Sequence, residues 1–62
     1  MTTREKEIIE TIRKLGGIAH PTAVGREVGI SGGYAEQLCR DLVWSGSLVK
    51  NGLRFKLVSP EE

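Results

Sequence analysis

Sixty-two residues, 39% of them hydrophobic, carry nine basic and eight acidic side chains and a formal net charge of +1. A chain this short is near the lower limit for one independently folding domain, with a net stability of about 3–5 kcal/mol. Near-neutral charge provides no global attraction to nucleic acid. One cysteine excludes an internal disulfide, and one histidine without companion ligands excludes a zinc set.

The opening MTTREKEIIE is too charged for a signal peptide, and no apolar run approaches the length of a membrane span. A cytoplasmic protein with no membrane contact is expected. A first helix is predicted over about 4–15. Thr2 with Glu5 three residues on has the form of a capping box, and Thr3 is an equally good cap. Ile8, Ile12 and Leu15 share one stripe, widened by Ile9. Gly16 and Gly17 end the helix. Ile18 and Ala19 form either a very short strand or an extended link. His20 precedes Pro21, which suits the first position of a second helix over about 21–28. His20 caps that helix or, with Thr22, touches a phosphate.

The next residues have distinct steric tasks. Val24 and Val28 form an i, i+4 face, and Ala35 and Leu38 an i, i+3 face on the following segment. Gly25 permits a close crossing. Gly29 supplies a left-handed cap, and the Ser31 hydroxyl caps a third helix over about 32–45, stopped by Gly46. Cys39 falls in the apolar register with Ala35, Leu38 and Leu42, so it reads as a small buried hydrophobe. The stretch Pro21–Arg40 resembles the helix-turn-helix motif, whose second helix enters the DNA major groove.

A hairpin is predicted over about 47–58 around Asn51-Gly52, the dipeptide suited to a type I′ turn. A turn centred there pairs Lys50 with Leu53 and Leu48 with Phe55. Leu48, Leu53, Phe55 and Leu57 then face the helices, and Val49, Arg54, Lys56 and Val58 face outward. The tail, residues 59–62, ends in two glutamates after Pro60 and is expected to be frayed and solvated.

The order helix, link, helix, helix, hairpin resembles the winged-helix family from Thr3 to Val58. The resemblance implies an α+β fold, mainly α: a three-helix core with a C-terminal two-stranded β-hairpin wing, one domain over residues 1–62. It implies binding of double-stranded DNA by a transcriptional regulator or accessory factor, one copy binding weakly and specificity calling for a homodimer or a protein partner. Winged helices also serve as protein-interaction modules, and that alternative stays open.

On this resemblance Ser31, Gly32, Gly33, Tyr34, Gln37 and Arg40 lie at the DNA-facing start of the third helix. Gln37 can pair with adenine, and Arg40 with guanine or a phosphate. Gly32 and Gly33 either admit a phosphate close to bare backbone N–H groups or mark a strained helix start. Glu36, among them, repels phosphate or accepts from cytosine. Lys50, Arg54 and Lys56 of the wing lie along the DNA backbone. Trp44 either packs under the hairpin or first helix, the favoured role, or makes a dimer or partner contact. No nucleophile–base pair stands out. No enzyme, cofactor, metal or small-molecule substrate is expected.

Overall fold

The computed structural model describes residues 2–58. It is a small α+β domain, mainly helical, and the expectations for the tail at 59–62 lie outside the described residues. Helix α1 spans Thr3–Lys14. Thr2 is its cap: the Glu5 N–H donates to the Thr2 hydroxyl and the Thr2 N–H to the Glu5 carboxylate, both at 3.1 Å. Two otherwise orphaned amide donors are thus satisfied. Ile8 and Ile12 are completely buried on one face. Leu15 departs from the expected stripe, because the helix has already ended at Lys14 and Leu15 occupies the C-cap, 38% exposed.

Gly16 and Gly17, both at positive φ, turn the chain into strand β1, Ile18–Ala19. His20 then caps α2 (Pro21–Val28), its Nδ1 accepting from the Thr22 N–H at 3.1 Å. That bond requires an unprotonated Nδ1, so the imidazole proton of a neutral His20 is on Nε2. Gly29, at φ 90°, ends α2, and its N–H and that of Ile30 both donate to the Gly25 carbonyl, at 2.8 and 2.9 Å. Ser31 then caps α3 (Gly32–Trp44) by accepting from the Tyr34 N–H at 3.1 Å. The bend works because Gly25 has no side chain. A β-carbon there would lie 2.9 Å from the Ile30 carbonyl oxygen and 3.1 Å from that of Ser31.

Helix α3 buries Ala35, Leu38, Cys39 and Leu42 and ends at Ser45–Gly46, where the Ser47 N–H returns to the Leu42 carbonyl at 2.8 Å. Strands β2 (Leu48–Asn51) and β3 (Arg54–Leu57) follow. The sheet has three strands, not two: β1 pairs antiparallel with β3, giving the order β1-β3-β2. The Ile18–Ala19 segment is therefore a strand, and β3 is central rather than an edge. Ala19 stands opposite Phe55, and the Leu57 N–H reaches the Gly17 carbonyl at 2.9 Å.

The hairpin register also differs from expectation. Asn51 pairs with Arg54, Lys50 with Phe55 and Leu48 with Leu57, so Gly52 and Leu53 form the turn. Gly52, at φ 65°, occupies the first central position, where a type II′ turn takes its glycine. A shift of two residues leaves the paired strand side chains on their expected faces. It lengthens the ladder enough to bring Leu57 opposite Leu48 and the Val58 N–H to the Ser47 carbonyl. The cost falls on Leu53, expected on the core face but 76% exposed at the turn.

Ile8, Ile12, Ala19, Val24, Leu38, Cys39, Leu42, Leu48 and Phe55 form one core. Phe55, the largest, is 1% exposed on the central strand. Burial on this scale contributes roughly 1.5–3 kcal/mol per large side chain, so a few residues account for most of the margin of so small a fold.

Candidate nucleic-acid interface

Helix α3 divides into two faces. Ala35, Leu38, Cys39 and Leu42 line the core face. Gly33, Gln37, Arg40 and Trp44, at i, i+4, i+7 and i+11, are exposed and within about 60° of one another around the helix. Tyr34, 47% exposed, borders this stripe at its start. The Ser31 hydroxyl is engaged as the cap. The two glycines differ. A β-carbon at Gly32 would meet Thr22 of α2 at 3.4 Å, whereas at Gly33 it would meet nothing within 4 Å. Neither has a positive φ, so the helix start is not strained there.

The polar side chains of this face are paired along the helix. Arg40 donates to Glu36 at 3.0 Å, and Gln37 to Asp41 at 3.2 Å. Both Arg40 and Glu36 are well exposed, and an i, i+4 pair in water contributes only about 0.3–0.5 kcal/mol. A phosphate therefore competes readily for Arg40. Glu36 is not turned away from the stripe but held against it.

The hairpin is electrostatically different. From Leu42 to Val58 the chain has Lys50, Arg54 and Lys56 and no acid. Among the described residues none of the three forms an ion pair, while α1 and α2 engage Arg4 with Glu7, Arg13 with Glu10 and Lys14 with Glu27. Lys50 is on the core side of the sheet. Its ammonium sits 5.4 Å from the centre of the Phe55 ring and donates to the Gly52 carbonyl at 2.9 Å. Lys56, paired opposite Val49, faces the other way, and Arg54 flanks the turn on that same outer face. The three bases are not on one surface.

Arg40 and Lys50 are brought together, on a groove between α3 and β2 also lined by Val43, Trp44 and Phe55. Lys56 lines a separate depression beside Gly16–Ile18. A larger hollow between α1 and α2 is bordered by Arg4, Glu7, Glu10 and Glu27, whose charges are already paired.

Trp44 corrects the favoured sequence reading. It does not pack beneath the hairpin or α1 but is 91% exposed. Leu42, Leu48 and Phe55 already fill that part of the core. The signal was present in the sequence: Trp44 is seven residues after Gln37, two turns along the same outward stripe. Cys39, by contrast, is fully buried, and burial, with a smaller contribution from the Glu36 charge, raises its thiol pKa to about 11. It is an inert core group at neutral pH.

Neither family models nor curated proteins nor solved structures give a significant match to this chain.

Proposed function

We propose that this chain is a winged-helix domain that binds double-stranded DNA and acts as a transcriptional regulator or accessory factor. Helix α3 enters the major groove with Gly33, Tyr34 and Gln37 foremost, and the hairpin lies on the sugar-phosphate backbone. The observation that carries the reading is the convergence of Arg40 and Lys50 on one groove beside the exposed stripe of α3. A hairpin with no acid strengthens it. Gln37 exchanges Asp41 for an adenine edge, and Arg40 exchanges Glu36 for a phosphate, because both internal contacts are solvent-exposed and weak.

Arg40 and Lys50 line the groove beside the proposed path, and Arg54, at the tip of the hairpin, reaches the backbone from the turn; Lys56, two residues farther along the outer face, is directed away. Three phosphate contacts imply a plot of log affinity against log salt with a slope of about −3. One copy alone binds weakly, so specificity needs a second copy or a partner domain.

A salt titration of duplex binding by fluorescence anisotropy tests this. Lys50→Gln and Arg54→Gln each flatten the slope by about one unit, and Lys56→Gln changes it little. No binding to any duplex at low salt, with no NMR shift changes across residues 32–40, refutes the reading. The second reading, a protein-interaction module, is favoured by Trp44 and Leu53, which are 91% and 76% exposed. A blue shift of Trp44 fluorescence with rising protein concentration supports self-association instead.

A further inference from the structure

We infer that the groove between α3 and β2 accommodates an unpaired nucleotide, its base stacked on Trp44 and its phosphate held between Arg40 and Lys50. The DNA recognised would then carry a single-stranded extension or junction beside the duplex. The inference rests on the DNA-binding reading above and names the form of DNA that the same surface takes.

Three observations carry it. First, Trp44 is on the outward stripe of α3 with Gln37 and Arg40 and is 91% exposed, so nothing among the described residues covers its ring. Second, it lines one groove with Arg40 and Lys50, the two cations that converge there, while Val43 and Phe55 form the apolar floor. An aromatic face in a groove lined by two cations is complementary to a base attached to its phosphate. Third, Trp44 is at the far end of the helix from the proposed base contacts: eleven residues beyond Gly33, about 16.5 Å along the axis. With the first turn of α3 among the base edges, Trp44 is away from them. A paired duplex offers it no base face, because the faces are occupied by stacking within the helix. An unpaired nucleotide does.

An acidic peptide could also satisfy Arg40 and Lys50. The groove favours the nucleotide because its aromatic surface is exposed as a platform, with two cations lining the same groove.

Trp44 is the only tryptophan, so fluorescence excited selectively from tryptophan, above the absorption of Tyr34, reports on this groove alone. The full chain is titrated with a blunt duplex, the same duplex bearing a short oligothymidine extension at either end, the oligothymidine alone, and an acidic glutamate-rich peptide. The expected result is quenching of Trp44 by the extended duplex and at least about fivefold tighter binding than to the blunt form, the lower range for one stacked base. Trp44→Ala removes that increment and leaves blunt-duplex affinity unchanged; Trp44→Phe keeps part of it. Because Trp44 is outside the core, both variants should melt with the parent protein, which circular dichroism verifies. Equal affinity for blunt and extended duplexes, or equal loss on both in Trp44→Ala, overturns the inference while the DNA-binding reading stands. Quenching by the acidic peptide and not by the extended duplex also overturns it, and makes the groove a protein-docking site. Absence of binding to every DNA overturns both.

Discussion

Replacing Gly25 by alanine isolates the contact on which the α2–α3 bend depends. An added β-carbon would be 2.9 Å from the Ile30 carbonyl oxygen, 3.1 Å from that of Ser31 and 3.3 Å from the Ser31 carbonyl carbon. All three are backbone atoms, so no side chain can rotate to make room. The turn is also tied to the same residue, through the Gly29 and Ile30 N–H groups on the Gly25 carbonyl. Relief therefore requires the bend to open and those bonds to stretch. With only backbone atoms in the way, the overpacking cost falls at the upper end of its usual range, about 2–3 kcal/mol, offset in part by the gain of about 1 kcal/mol that alanine has over glycine within a helix. A net loss of about 1–2 kcal/mol is expected, a large share of a stability near 3–5 kcal/mol. For 62 residues the unfolding entropy scale gives about 8 °C per kcal/mol, so Tm should fall by roughly 8–15 °C. Gly33→Ala is the matched comparison. It has the same chemistry in the first turn of α3, with open space around the new methyl and no positive φ, so Tm should stay or rise by a few degrees. Thermal unfolding by far-UV circular dichroism distinguishes the two. A Gly25→Ala protein melting at or above the parent temperature would refute the close-approach account of this bend.

The register of the hairpin predicts opposite outcomes for two apolar residues two positions apart. Leu53→Asn, at the exposed turn, should change stability by no more than about 0.5 kcal/mol, whereas Phe55→Ala should cost about 3–5 kcal/mol and leave the chain largely unfolded in urea titrations begun from water. Cys39 should resist Ellman's reagent in the folded protein and react only as the chain opens. Its folded thiol pKa, about 11, exceeds the 9.0 of an unburied thiol, so the native state binds the proton more tightly across that interval. Stability is then complete below about pH 9 and falls as pH rises towards 11, by roughly 2–3 kcal/mol at ~1.4 kcal/mol per unit. Cys39→Ala should lack that alkaline component, and chemical denaturation at pH 8 and pH 11 measures the difference.

The candidate surface was partly legible in the sequence. The exposed start of α3 follows from the Ser31 cap and the period of Ala35, Leu38 and Leu42, because those signals act within a turn or two of helix. The pairing of Arg40 with Glu36 and of Gln37 with Asp41 was also implicit in i, i+4 spacing. Convergence of Arg40 with Lys50 was not, since it depends on how β2 packs against α3. The separation of Lys50 from Lys56 was legible, because strand alternation puts them on opposite faces and the register shift is even.

Local chemistry by itself determined the three helices, their caps and the Gly29 bend, because each is decided by groups within about four residues. It also determined which hairpin residues share a face, since an even shift in register preserves the alternation. Tertiary structure decided the rest. Pairing of Ile18–Ala19 with β3 made a third strand and accompanied a ladder that moved the turn from Asn51-Gly52 to Gly52-Leu53. A core already filled by Leu42, Leu48 and Phe55 left Trp44 in water beside Arg40 and Lys50. Contacts between residues distant in the chain set both results, and short-range patterns contain no information on such distances.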